Sequence, residues 1–303
     1  MEGPLYMEDT NELVKGIKNW GYRFNARKQF NDFLASINDD EKLLSECKKI
    51  YGLIDAIVLD REKSQFEETL PVGNYYRARI INLEHIKSLD FGIGKNEDGR
   101  LHGYNEDNSR EPIIGKSSSG RNNIEGSSYL YVASNEETAC VEVKPQYGDL
   151  ISLATFKSVK NMKIINFSTE KSFSRTDTEI QNMSMGVFFT LLMMQYCVPI
   201  KDKNIYRVTQ IISDYLRKTG IDGIAYRSFF SPGGVNYTLF NCHHSNIEYV
   251  DSRILLYKQA MHSFWDYNNG KAIMSCLDKK LEYDSEIAKK QIDGLNLINE
   301  SDL

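Results

Sequence analysis

The chain has 303 residues, of which 41% are apolar and 26% charged. That is ordinary globular composition, which excludes a disordered or collagen-like chain and leaves room for a sizeable core. The net charge is −5, and no basic stripe is visible, which argues against a nucleic-acid binder driven by phosphate contacts.

Five cysteines, Cys47, Cys140, Cys197, Cys242 and Cys276, are scattered and odd in number, with no Cys-x-x-Cys. This fits reduced thiols and a cytoplasmic location better than a disulfide framework or a zinc site. The N-terminus lacks the basic-then-apolar order of a signal peptide. The most apolar stretch, 185–198, is shorter than the ~20 residues a membrane span needs and contains Gln195. It reads as a buried helix, so no membrane partner is expected.

In chain order, residues 8–70 show helical spacing at Leu13, Ile17 and Trp20, at Phe30, Phe33 and Leu34, and again after Asp39-Asp40 at Leu43, Leu44, Cys47 and Ile50. Pro71 closes this N-terminal helical region, taken as 1–70. Tyr75 to Ile81 is rich in aromatic and β-branched residues and reads as a strand. Residues 90–127 carry seven glycines and read as a long active-site loop. Ser128 to Ala133 is a strand. Ser134 with Glu137 has capping-box spacing, predicting a short helix that ends near Val143 because Pro145 disfavours helix at Lys144. A strand is predicted over 149–159, helices over 177–197 and 204–218, and strands over 223–228, 235–240 and 248–257. The tail from 261 to 303 reads as helical and polar. Strands and helices mix without regular alternation, so the class is α+β.

Four side chains stand out, though each has a plain structural explanation when taken alone. Glu142 ends the short helix among apolar neighbours, where a carboxylate needs a partner; a structural salt bridge would supply one. Arg121 sits in a loop bounded by Gly120 and Gly126, and could be an ordinary solvated arginine. Tyr131 could be core filler on its strand. Ser228 could be a turn serine.

Three segments place them together. They are Tyr76-Arg77-Ala78-Arg79; Gly120-Arg121-Asn122, Gly126, Tyr129 to Ser134 and Thr138 to Pro145; and Gly220 to Ser228 with Gly234 to Phe240. In these segments, spread over 72–260, the sequence resembles the RES family, named for its arginine, glutamate and serine. Asn123 departs from the pattern, which commonly has proline there.

The resemblance implies an ADP-ribosyltransferase-like fold with a split β-sheet core and NAD held between two small sheets. It implies a toxin that consumes NAD by hydrolysis or phosphorolysis, or one that transfers ADP-ribose to a protein or nucleotide. It also implies a cognate antitoxin protein as partner, and NAD as substrate rather than cofactor. Arg121, Tyr131, Glu142 and Ser228 would be catalytic, with Tyr76, Arg77, Arg121 and Asn236 contacting NAD. Glu142 would stabilise the oxocarbenium-like charge on the ribose. Arg121 would pair with phosphate oxygens, Tyr131 would meet the nicotinamide riboside, and Ser228 the nicotinamide amide or a ribose. No metal is required. An inactive NAD-binding or partner-binding module is the alternative from another class.

Two other signals are set aside. Gly115-Lys116-Ser117 ends like a phosphate-binding loop, but Arg110 stands where the first glycine belongs. Cys242-His243-His244 would point to opposite faces if extended.

Overall fold

The computed structural model describes residues 27–28, 30–37, 39–59, 66–82, 93–95, 101–168, 191, 193–197, 206–240, 242–258, 261–265 and 272–277. Helix α1 (Asp40–Ile57) begins at Asp39, whose carboxylate accepts from the Lys42 amide at 3.2 Å. Leu43, Cys47, Ile50 and Ile54 recur at helical spacing and are buried. The sheet strands are β1 (Glu67–Thr69), β2 (Asn74–Ile80), β5 (Leu130–Ala133), β6 (Leu150–Ser158), β7 (Lys163–Asn166), β8 (Gly223–Arg227), β9 (Val235–Leu239) and β10 (Ile247–Leu256). Between β2 and β5 lie the short pair β3 (Gly94–Lys95) and β4 (Leu101–His102), and a one-turn helix α2 (Glu106–Ser109). Helix α3 (Glu136–Glu142) follows β5, and helix α4 (Arg207–Lys218) precedes β8.

The eight strands run in the order β1-β7-β8-β9-β5-β2-β6-β10, antiparallel except for β7 beside β8. One joint is weak. β2 meets β5 in a single register pair, Tyr76 with Ala133, whereas β2 meets β6 over seven pairs. The sheet is thereby split into a three-strand and a five-strand part. This is the α+β split-sheet core expected from the resemblance.

One core joins the N-terminal helices to α4 and the five-strand part. Phe30, Phe33, Ile50 and Ile54 pack with Val208, Ile212, Leu216 and Ile224. Arg207 ties the same surfaces by donating to the Ile37 carbonyl at 2.7 Å. A second core, with Leu130, Val132, Phe156 and Leu239, bridges the split.

Several expectations are corrected. The helical region does not reach 70: residues 67–69 form β1 against β7, a four-residue strand that the sequence reading passed over. Phe66 and Leu70 anchor the ends of β1 by burial. The cap of α3 is Asn135, which accepts from the Thr138 amide at 2.8 Å. Ser134 instead continues the β5–β9 ladder, with its amide on the Val235 carbonyl and its hydroxyl accepting from the Val235 amide. The tail is not helical where it is described. Met261–Trp265 and Ala272–Leu277 pair as antiparallel strands β11 and β12, and the intervening sequence holds Asn-Asn-Gly, a turn signal that the reading missed.

The loop after α2 is knit internally, with Gly115 and Gly126 bonded backbone to backbone and Gly120 on the Asn123 carbonyl. Of the helix expected over 177–197, residues 191 and 193–197 are described and helical; the rest lies outside the described residues, as do 1–26 and 278–303. Among the described residues no helix is long and apolar enough to cross a membrane.

Candidate active site

A cleft of about 250 Å³ opens where the sheet splits. Tyr76 and Arg77 of β2 face Tyr131 of β5, Glu142 of α3, Tyr226 of β8 and Asn236 of β9 across it. The weak β2–β5 joint is what makes the space, because two fully paired strands would close it.

Glu142 is held through one oxygen. The Ser228 hydroxyl donates to its Oε1 at 2.6 Å, and the Asn236 amide donates to the same atom at 2.7 Å. Among the described residues Oε2 has no hydrogen-bond partner. Ser228 is itself oriented by the amides of Phe230 and Ser231, which donate to its oxygen at 3.2 and 3.1 Å. Its only proton is therefore committed to Glu142. The result is a carboxylate fixed in direction by neutral donors, with its charge left available to the cleft.

The loop carrying Ser228 is docked on α3. Thr138 and Ser231, both buried, bond through their hydroxyls at 3.1 Å, and the Lys144 ammonium sits 5.0 Å from the Phe230 ring centre. Lys144 follows the helix end in the left-handed region at φ 52°, a conformation that costs a non-glycine residue energy. Gly234 is required by this docking. An added Cβ would overlap Thr138 Oγ1 and lie 2.9 Å from Ser231 Oγ. Gly234→Ala is expected to lower stability by about 1–3 kcal/mol, read as a lower denaturant midpoint at unchanged slope.

Arg77 is the cleft's guanidinium. The side chain as a whole is half-buried, but its Nη1 is sealed from solvent without a hydrogen-bond partner. Burial, with Arg79 alongside, pushes its pKa down to about 9. Arg77 and Tyr131 also line a second chamber of about 190 Å³, walled by Ser117, Ser118, Gly120 and Asn123. Tyr226 is buried, which pushes its phenol up to about 12, and it feels the charges of both Arg121 and Glu142.

The seven residues expected at the site are distributed unevenly. Glu142, Ser228 and Asn236 meet directly, and Tyr76, Arg77 and Tyr131 line the same cleft. Arg121 does not line it. Its guanidinium donates to the Gln195 carbonyl at 2.7 Å and lies over the Tyr206 ring, 5.2 Å from the centre. It lies within electrostatic reach of Tyr226. Tyr226 is a lining residue beyond the seven expected, and its signal in the sequence is the strand run Gly-Ile-Ala-Tyr-Arg-Ser that leads to Ser228. Among the described residues no three His, Cys, Asp or Glu side chains converge as metal ligands would.

The fold is a split α+β sheet with a polar cleft at the split, lined by an oriented carboxylate and a guanidinium. The family model described as RES domain matches residues 100–260, more than half of the chain, and the chain belongs to that family. β2, with Tyr76 and Arg77, precedes the matched stretch yet sits at the split. No curated protein sequence matches. Among solved structures, a chain of the M. tuberculosis MbcT-MbcA toxin-antitoxin complex is similar, at 11% identity and a TM-score of 0.36, covering 63% of this chain and 86% of that one.

Proposed function

We propose that this protein is an NAD-cleaving enzyme of the RES toxin kind, breaking the bond between nicotinamide and ribose. The observation that carries the reading is the Glu142 carboxylate, pinned through Oε1 by Ser228 and Asn236, facing Arg77 across the cleft. In NAD the nicotinamide nitrogen is cationic. As the C1′–N bond breaks, its electron pair goes to the ring, which leaves neutral, and positive charge moves to the ribose. Glu142 Oε2 stabilises that charge electrostatically. Water or phosphate then bonds C1′, and the proton lost by water passes to solvent. Arg77 binds a pyrophosphate oxygen through the donor left unpartnered in the free protein. The cleft, at about 250 Å³, takes the reacting half of the dinucleotide. The remainder runs past Arg77 toward the second chamber. Arg121 contributes its field, which reaches Tyr226, rather than a direct fork.

Purified protein incubated with NAD, with and without phosphate, is expected to release nicotinamide. Free ADP-ribose indicates hydrolysis, a phosphorylated ADP-ribose indicates phosphorolysis, and label retained on a macromolecule in extract indicates transfer. No release under any of these conditions overturns the reading and leaves the inactive binding module. A cognate antitoxin protein and a cytoplasmic site of action belong to the same proposal. A fall in cellular NAD on expression, reversed by co-expression of the antitoxin, is the expected phenotype.

A further inference from the structure

We propose that Tyr131 is a positioning residue: its hydroxyl sets the 118–123 loop through Asn122 and Asn123 rather than donating to substrate. The inference builds on the NAD-cleavage reading for its kinetic part only.

The bonding of the hydroxyl carries it. Tyr131 donates its single proton to Asn123 Oδ1 at 2.7 Å and accepts from the Asn122 amide at 3.0 Å. A phenol has one proton to give, so donating to a ligand would mean giving up Asn123. Nor can it act as a base at neutral pH, because burial pushes its pKa far above the ordinary phenol range.

Asn123 spreads the constraint. It is buried, and its amide nitrogen donates to the carbonyls of Ser118, Ile124 and Ser127 at 3.0, 3.1 and 3.1 Å. One side chain thus closes the loop on itself and passes its acceptor to Tyr131. Two further elements grip the same loop. Gln210 of α4 donates to the Gly120 carbonyl at 2.7 Å and to Ser119 Oγ at 2.9 Å, and Thr209 donates to the Arg121 carbonyl. From β9, Thr238 Oγ1 accepts from the Asn122 side-chain amide at 2.6 Å. Gly120 is needed at the closest point, since a Cβ there would overlap Asn123 Oδ1 and lie 3.0 Å from the Tyr131 hydroxyl. The loop so fixed supplies Ser118, Gly120 and Asn123 to the wall of the second chamber beside Arg77. Its position therefore sets how the part of the substrate remote from Glu142 is held.

The test is a double-mutant cycle of Tyr131→Phe and Asn123→Ala with two readouts. The first is amide hydrogen exchange over 117–127, which needs no substrate. Losing a buried hydrogen bond worth ~1 kcal/mol is expected to raise exchange at 120–123 about fivefold. The second is steady-state NAD cleavage. Tyr131→Phe is expected to raise KM several-fold with kcat changed less than about twofold. The double variant should be worse than Asn123→Ala by less than the effect of Tyr131→Phe alone, because the two share the Tyr131–Asn123 bond and only the Asn122 contact is left to lose. Unchanged loop exchange in Tyr131→Phe overturns the proposal. So does a kcat loss of about tenfold or more at constant KM, or multiplicative effects in the cycle. If Asn123→Ala does not fold, exchange in Tyr131→Phe decides alone. If wild type cleaves no NAD, the functional reading falls, and the exchange result still decides this inference.

Discussion

Glu142→Gln is expected to cut nicotinamide release on the order of 100-fold while KM for NAD stays within about threefold. The substitution is chosen for what it preserves. Glutamine has the same shape, and its carbonyl oxygen can still accept from Ser228 and Asn236, which bond Oε1 at 2.6 and 2.7 Å. The cleft is unchanged, and the negative charge alone is lost. Ground-state NAD carries its positive charge on the nicotinamide ring, whereas the transition state moves it onto the ribose. A carboxylate set at the ribose is therefore worth more in the transition state, and its removal appears in kcat. Ser228→Ala, which leaves the charge but frees its direction, should cost less, about tenfold, again in kcat. If Glu142→Gln turns over as wild type does, the cleft is not where NAD is cleaved. A KM effect alone would mark Glu142 as a binding group.

How far this site can be read from sequence depends on distance along the chain. β5, α3 and the residue that ends α3 were legible locally. Tyr-Leu-Tyr-Val-Ala alternates as a strand, a polar cap follows, and Thr138 and Ala139 share the buried face. The meeting of Glu142 with Ser228 and Asn236 was not legible from any local pattern. Those partners lie 86 and 94 positions away, and only the family resemblance brought the segments together. The same resemblance placed Arg121 in the cleft, but its loop is pulled toward α4 by Thr209 and Gln210, which no pattern in 118–123 announces. Asn123 stands where proline is common, and its side chain makes the bonds that fix the loop. β1 and β7 are not legible because Glu-Glu-Thr and Lys-Ile-Ile-Asn have neither the aromatic and β-branched run of β5 nor any alternation.

The second large effect is expected at Arg77, where activity and stability should move in opposite directions. Its Nη1 is buried without a partner. Arg79 opposes its charge, and Glu111 favours it. An unpaired buried charge costs on the order of a few kcal/mol. Methionine fills similar volume without that cost. Arg77→Met should therefore leave the unfolding free energy unchanged or raise it, by up to about 1–4 kcal/mol. The same change should raise KM for NAD about 100-fold, since a buried charged donor to an anion is worth roughly 2–5 kcal/mol when its partner is present. Arg77→Lys keeps the charge but not the planar fork, and should recover only part of the affinity. Denaturant unfolding and nicotinamide release, measured on the same three proteins, separate the two roles. If Arg77→Met loses stability and binds NAD normally, the guanidinium serves Glu111 and the sheet. If stability holds while KM climbs, its unfilled donor is there for a ligand that the folded chain lacks, and the split between β2 and β5 is where that ligand enters.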